Sequence, residues 1–416
     1  MKKLSARPRG TIGIVDIGTS KMCCFIARQH EAGAEIIGIG HQVSRGVRNG
    51  VIVDIDAASH SILTAIHAAE QMAEETLSEV VVNLSGGFAA SRIVKSEIAI
   101  NGRQITDGDM RRVLDHGHLM KEPSDREIIH SIPVGFSIDA SRGIRDPRGM
   151  YGQKLGVNMH VVTAQAAAVR NLANAVGRCH LEIGALVVSP YAAGLACLVE
   201  DETELGVTVL DMGGGTTTIA VFFDGNLVFT DSIPIGGGHV TNDIARGLST
   251  PLAHAERMKT LYGSAIASAS DERETITVPQ IGEEEESQPN HVPKSLLVGI
   301  ISPRLEETFE MVRDRLEHSG FDKIAGRRVV LTGGACQLPG TRELAGLILD
   351  KQIRIGRPLR MGGLAEATGG PAFSTSAGLV HFALSERAET PRRGRALTEV
   401  PGGVLVRFGH WIRENL

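Results

Sequence analysis

A duplicated turn constrains this chain more than any other feature. Ile12-Gly13-Ile14-Val15-Asp16-Ile17-Gly18-Thr19-Ser20-Lys21 runs into Met22-Cys23-Cys24-Phe25-Ile26-Ala27. Val207-Thr208-Val209-Leu210-Asp211-Met212-Gly213-Gly214-Gly215-Thr216-Thr217-Thr218 runs into Ile219-Ala220-Val221-Phe222-Phe223. Each copy is an apolar β-type run, an Asp-x-Gly turn and a second apolar run, which together read as a hairpin with a small-residue tip. Glycines let backbone N–H groups approach a ligand closely, and hydroxyls add donors. Gly18, Thr19 and Ser20 on one tip, and Gly213, Gly214, Gly215, Thr216 and Thr217 on the other, therefore suit phosphate oxygens. Lys21 adds a point charge within their reach. An aspartate beside an anion calls for a counter-ion. Mg²⁺ keeps most of its waters, so Asp16 and Asp211 are expected to hold it through water. One such hairpin alone is an ordinary turn, but two in the two halves of one chain imply a nucleotide clamped from both sides.

A third segment completes the set. Arg327-Arg328-Val329-Val330-Leu331-Thr332 reads as a buried strand ending in Gly333-Gly334-Ala335-Cys336-Gln337, with a helix from about Thr341. Without side chains at Gly333 and Gly334, a flat base and ribose can lie against the backbone. Upstream, Gly236-Gly237-Gly238-His239 leads into an amphipathic run with Glu256 and Lys259 on one helical face. That pair can bind ribose hydroxyls and the base edge, and taken alone it also reads as a solvated ion pair. The adenosine-binding set is thus Gly237, Gly238, Glu256, Lys259, Gly333, Gly334, Ala335 and Gln337. No Gly-x-x-x-x-Gly-Lys-Ser/Thr loop and no Gly-x-Gly-x-x-Gly after a strand competes with this reading.

Bulk composition narrows the classes. A length of 416 residues allows two to four compact units, and 49 glycines with only 4% aromatics fit an α/β chain full of tight turns. The net charge of −5 argues against a general nucleic-acid binder. Five cysteines, at 23, 24, 179, 197 and 336, show no metal-type spacing and read as buried thiols of a reducing compartment. No apolar run approaches about eighteen residues and the basic N-terminus lacks an apolar core, so a cytoplasmic location without a membrane span is expected.

Patterning along the chain places residues 1–84, 165–203 and 371–384 in a first lobe, with an inserted unit at 85–164. Residues 204–243 and 325–370 form the core of a second lobe, with a variable part at 244–324. The insert reads as strands at 92–100 and 128–138, a helix at 107–119, and a flexible Arg/Gly/Pro segment at 142–156. Residues 271–293, with four consecutive glutamates at 283–286, read as a solvated loop, followed by a helix at 302–319. Residues 385–403 read as a linker. Beyond it, Val404, Leu405, Phe408, Trp411, Ile412 and Leu416 share one broad face of a helix, opposite Arg407, His410, Arg413 and Glu414. A helix this short is marginal alone and needs a surface, either the body of its own chain or a membrane interface. The linker and the Trp/Phe face with flanking arginines favour the membrane. One tail binds weakly and many tails on one polymer bind well, so the anchor predicts self-assembly.

In order and spacing, the three segments resemble the phosphate-one, phosphate-two and adenosine motifs of the actin, DnaK-type chaperone and sugar kinase superfamily. With the insert, the amphipathic end, Gly46-Val47-Arg48-Asn49-Gly50-Val51-Ile52 and Asn83-Leu84-Ser85-Gly86, the whole chain resembles the FtsA family of bacterial division proteins. The resemblance implies an α/β actin-like two-lobed ATPase fold, with an inserted α+β subdomain in the first lobe and a C-terminal amphipathic helix. It implies ATP and Mg²⁺ as cofactors, filaments of the chain itself, and membrane lipids under residues 404–416. It also implies the C-terminal tail of the tubulin-like FtsZ on the variable part of the second lobe near residues 302–319, and other division proteins on the inserted unit. The location implied is peripheral, on the cytoplasmic side of the inner membrane at the division site.

Catalysis turns on one position. The superfamily ATPases place a Glu or Gln at the start of the connecting helix to orient water, and here Ser189 stands there. A hydroxyl is a poor general base near neutral pH, which leaves Asp16 and Asp211 as polarising groups and predicts weak or no hydrolysis. The competing readings are an ATP-dependent small-molecule kinase and a chaperone-like or pilus-assembly relative. The first lacks a convincing sugar cleft with an Asp base, and the second has no reason to end in an isolated amphipathic anchor.

Overall fold

The two Asp-x-Gly hairpins seed two sheets of one plan. The structure, a computed structural model, describes residues 10–30, 33–118, 124–282 and 290–389. In the first half, β1 (Thr11–Ile17), β2 (Lys21–His30) and β3 (Gly33–Val43) form an antiparallel meander. A short hairpin of β4 (Val47–Arg48) and β5 (Val51–Ile52) leads to α1 (Ile55–Ala73), which Asp54 caps by accepting the N–H of Ala57. Strand β6 (Glu79–Leu84) returns parallel to β1.

The chain then enters the inserted unit: β7 (Ala90–Ala99), α2 (Asp107–His118), β8 (Arg126–Ile138), β9 (Ser141–Ile144) and β10 (Lys154–Gln165). Its antiparallel sheet, ordered β7-β10-β8-β9, closes a core of its own with α2 around Ile100, Leu114, Leu155 and Met159. Helix α3 (Ala166–Gly177) and β11 (Glu182–Val188) complete the first sheet in the order β11-β6-β1-β2-β3, and α4 (Ser189–Cys197) and α5 (Glu200–Leu205) cross to the second half.

There β12 (Val207–Met212), β13 (Thr217–Phe223) and β14 (Asn226–Ile233) repeat the meander. Helices α6 (Gly237–Gly247) and α7 (Leu252–Tyr262), strands β15 (Thr275–Val278) and β16 (Asn290–Pro293), and helix α8 (Lys294–Ser319) follow. Strand β17 (Arg328–Thr332), helix α9 (Thr341–Leu349) and β18 (Gln352–Ile355) give the order β14-β13-β12-β17-β18, with β17 parallel to β12 and β18 parallel to β17. The first sheet has the same arrangement, so the duplicated sequence is a duplicated topology. Helix α10 (Ser374–Glu389) crosses back.

The unbroken apolar runs of the hairpins follow from burial on both faces. Along β1, Val15 and Ile17 enter the core under α1 and α3, while Ile12 and Ile14 enter the one under α10. On β2, Met22, Cys24 and Ile26 take the first side, and Cys23, Phe25 and Ala27 the second. Helix α1 lies directly on β3: a Cβ at Gly38 would fall 2.3 Å from the Ala69 carbonyl oxygen, and one at Gly40 1.9 Å from that of Ala65.

Four expectations are corrected. The segment expected to be flexible, 142–156, contains β9 and the start of β10, the central strand of the insert, which pairs with both β7 and β8. Helix α8 begins at Lys294 rather than 302 and runs through Pro303. The stretch 271–293 is not simply a loop. Strands β15 and β16 pair across it, and buried Asp271 forms an ion pair with Lys294 at 3.2 Å, while the four glutamates lie outside the described residues. Helix α10 continues to Glu389, into the expected linker; the rest of that linker and the amphipathic end at 404–416 also lie outside the described residues.

Candidate functional site

The hairpin tips meet face to face between the two sheets. Each tip is closed by one backbone bond: Gly18 N–H to the Lys21 carbonyl at 3.1 Å, and Gly213 N–H to the Thr216 carbonyl at 2.8 Å. A Cβ at Gly214 would lie 1.8 Å from Ser20 Oγ, and one at Gly215 would lie 2.5 Å from Thr19 Oγ1. Any side chain there fills the space between the tips. Gly237 and Gly238 open α6 directly above, and their N–H groups donate to the carbonyls of Gly213 and Gly214 at 2.9 and 2.7 Å. Those two amides thus fasten the helix to the tip and are not free to meet a ligand.

Asp16 and Asp211 are the next-to-last residues of β1 and β12, at the roots of the two tips. The first turn of α10 holds both: Ser376 Oγ donates to Asp16 Oδ2 at 2.8 Å, and Thr375 Oγ1 donates to Asp211 Oδ2 at 2.9 Å. Burial raises the Asp16 carboxyl, opposed by Lys21 and Ser376. Burial likewise pushes Asp211 up to about 6, opposed by the Thr375 hydrogen bond and Lys21, while the Asp16 charge adds to the rise. Lys21 Nζ lies 3.3 Å from the centroid of the Phe373 ring, is buried and has no hydrogen-bond partner. Burial lowers its pKa, and the Asp16 charge opposes that. A buried ammonium over a ring face, without a hydrogen-bond partner, keeps N–H donors that anionic oxygens can take.

Among the described residues, no group of three or more His, Cys, Asp or Glu side chains is placed to hold a metal. Two carboxylates alone match the needs of Mg²⁺, an oxygen-seeking ion that keeps several waters and borrows ligands from phosphates.

The expected adenosine residues fall into two groups. A Cβ at Gly237 would stand 3.0 Å from Ala335 Cβ and 3.7 Å from Lys259 Nζ, so those three adjoin. Lys259 Nζ donates to Glu256 Oε2 at 2.7 Å, Thr241 Oγ1 at 2.8 Å and the Gly237 carbonyl at 3.1 Å, which ties the lysine to the start of α6 while the Glu256 side chain stays largely exposed. Gly333 takes φ +84° and packs against Asp211, where a Cβ would fall 2.5 Å from Oδ1. Gln337 folds back onto the Gly334 carbonyl at 3.3 Å. Ser189 is buried at the start of α4, and its Oγ accepts from Asn83 Nδ2 at 3.0 Å.

Sequence reading missed several lining groups. Thr19, Gly214, Gly215 and Gly238 line a cleft of 240 Å³ together with Arg48, Asn49, His239, Asn242, Asp243, Arg246 and Arg304. The α6 residues stand at i, i+3, i+4 and i+7 from His239, a helical spacing visible in the sequence; Arg48 lies in the quoted 46–52 stretch, but neither it nor Arg304 carried a sign that it would meet α6. Thr375 and Ser376 lie in the 371–384 stretch of the first lobe, where nothing local marks them as partners of the two aspartates.

Comparison with known proteins bears on this arrangement. The family model "Cell division protein FtsA" matches residues 208–378, and "SHS2 domain inserted in FTSA" matches residues 86–163. The chain is 45% identical to the cell division protein FtsA of Rhizobium meliloti (strain 1021), over 100% of its own length and 97% of the relative's. It is 35% identical to that of Pseudomonas aeruginosa, over 96% of this chain and 97% of the relative, and 31% identical to that of Escherichia coli (strain K12), over 99% and 100%. Among solved structures, the PilM-PilN type IV pilus biogenesis complex superposes with TM-score 0.64 at 18% identity, over 91% of this chain and 99% of that one. MreB5 of Spiroplasma citri bound to ADP superposes with TM-score 0.55 at 14% identity, over 92% and 98%. These likenesses establish the actin-like fold.

Proposed function

Because the chain belongs to the FtsA family of cell division proteins, and so has a role in cell division, we propose that its cleft binds ATP with Mg²⁺ and that the bound nucleotide governs its assembly. The observation that carries this reading is the pair of facing Gly/Thr/Ser tips, with the buried Lys21 ammonium, which has no hydrogen-bond partner and lies over the Phe373 ring, at the end of the first. Gly18, Thr19, Ser20, Lys21, Gly213, Gly214, Gly215, Thr216 and Thr217 receive the phosphates. Gly333, Gly334, Ala335, Gln337, Glu256 and Lys259 flank the adenosine, with Gly237 and Gly238 bracing the tip beneath it. Asp16 and Asp211 would hold Mg²⁺ through its waters, and the ion would supply neutralisation of the phosphate charge. The ADP seen in the Spiroplasma structure is in keeping with a nucleotide in this fold.

Hydrolysis is weak or absent in this proposal. Ser189 Oγ already accepts from Asn83, and no carboxylate or amide stands at that position. A hydroxyl in this place does not remove a proton from water at neutral pH.

The remaining parts act outside the cleft. Residues 404–416 anchor the chain, through Val404, Leu405, Phe408, Trp411, Ile412 and Leu416, to the cytoplasmic side of the inner membrane at the division site. Filaments of the chain multiply that weak anchor. The variable part of the second half, near α8, takes the C-terminal tail of FtsZ and so tethers its ring, and the inserted unit meets later division proteins. Among the described residues no helix is long and apolar enough to cross a membrane.

The test is sedimentation of the full chain and of a truncation ending at Gly403, each with and without ATP·Mg²⁺ and acidic-lipid vesicles. The expected result is that only the full chain pellets with vesicles, and that it forms filaments on them by electron microscopy. Equal behaviour of the two would sink the anchor and leave a soluble ATP-dependent protein.

A further inference from the structure

The inserted unit reaches the candidate nucleotide site through a line of buried hydrogen bonds. His130, on β8, is 3% exposed, and its Nε2 accepts the N–H of Val188 at 3.1 Å. A backbone amide only donates, so Nε2 carries no proton in this bond. Burial keeps the ring neutral by pushing its pKa down to about 4. Val188 immediately precedes Ser189 at the start of α4. Ser189 Oγ accepts from Asn83 Nδ2 at 3.0 Å, and Asn83 Oδ1 accepts the N–H of Ile17 at 2.6 Å. Ile17 lies between Asp16 and Gly18, at the root of the first tip. Asn83 and Ser189 are 2% and 1% exposed, so water does not substitute readily for either partner.

Two further contacts make His130 a fixed point. Its ring stands edge-on to Tyr191 of α4, with centroids 5.4 Å apart, and to Phe382 of α10, at 6.1 Å. These are the two helices that cross between the halves. The far side of the insert rests on the second half. Ser91 Oγ on β7 donates to the Thr230 carbonyl at 3.0 Å and accepts the Thr230 N–H at 2.7 Å. Arg145, after β9, reaches Glu204 at 2.8 Å and Asp224 at 3.1 Å. The inserted unit therefore touches both halves, and His130 is where this line of hydrogen bonds leaves it for the first tip.

We propose that His130 and Asn83 are positioning residues that couple the seating of the inserted unit to the phosphate-facing turn at residues 16–21. A partner that shifts the insert then changes nucleotide affinity, and by linkage nucleotide changes the affinity for that partner by the same factor. The inference rests on the ATP reading given above.

The test uses the full chain, ATP with Mg²⁺ by calorimetry, and amide hydrogen exchange over residues 16–21 without nucleotide. His130→Leu keeps apolar bulk and leaves the Val188 N–H unpaired, whereas His130→Gln returns an acceptor near the Nε2 position. Leaving one buried donor unpaired is expected to weaken ATP binding roughly tenfold and to speed exchange at Ile17. His130→Gln is expected to restore both to within about twofold of the parent. Parent-like affinity and exchange in His130→Leu would overturn the coupling, as would a well-folded His130→Gln that fails to restore them. Ser189→Ala breaks the line in the middle by deleting one hydroxyl. It must also speed exchange at 16–21, and unchanged exchange refutes the proposal even if His130→Leu does not fold. If the parent itself binds no ATP, the nucleotide reading falls while the exchange arm still decides the coupling.

Discussion

At Asp211 the folded chain holds a carboxyl that titrates near 6, against an ordinary 3.8, because burial disfavours its charge. A group raised in the folded state gives stability that is fully present below about 4 and is lost as pH rises through about 6. Without nucleotide or Mg²⁺, the melting temperature of the parent should therefore fall relative to Asp211→Asn between pH 4 and 6 and run parallel above 7. Parallel curves throughout would mean that the carboxyl is not held in this way. Gly214 makes a second residue-scale case. Its missing Cβ is the space occupied by Ser20 Oγ, so Gly214→Asp inserts both bulk and negative charge where phosphate is proposed to lie. ATP affinity should fall at least a hundredfold, or more than about 2.7 kcal/mol, by calorimetry. Retained affinity would remove the clamp. The glycines were legible in the sequence because their constraint is local. Thr375 and Ser376 were not, because they lie 164 and 360 residues from the aspartates they serve.

Elements were legible where a single period dominated. Strands β1, β2, β12 and β13 were plain because burial on both faces leaves an unbroken apolar run. Strand β10 was hidden because Gly156, Asn158 and His160 interrupt its pattern, and their neighbours on β7 and β8 supply the pairing that propensity did not. Helix α8 was cut short in the reading because Pro303 resembles a first-turn proline, yet the helix absorbs it nine residues after its own start at Lys294. Helix α4 packs closely against both α10 and β13. A Cβ at Gly378 would lie 1.7 Å from the Ala192 carbonyl oxygen, and one at Gly194 would lie 2.4 Å from the Phe222 ring. Gly378→Ala must push the helices apart and should cost about 1–3 kcal/mol, read as a lower urea midpoint. An unchanged midpoint would show that the crossing is looser than described.

For the whole molecule, the predicted anchor and the cleft are separate devices joined by one chain. Trp411→Glu should abolish co-sedimentation with acidic vesicles while leaving ATP affinity within about twofold, since the tail needs apolar area and the cleft does not. A variant that stays on vesicles would move the anchor elsewhere. One described feature links the two ends. Adjacent residues of α10, Thr375 and Ser376, each grip the aspartate of a different half, so the first turn of that helix is a fulcrum. Its 16 residues extend about 24 Å, and each ten degrees of tilt at the fulcrum displaces the Glu389 end by about 4 Å. If the proposed nucleotide draws the two halves together, the ties at Thr375 and Ser376 pass that motion into α10, whose far end is Glu389.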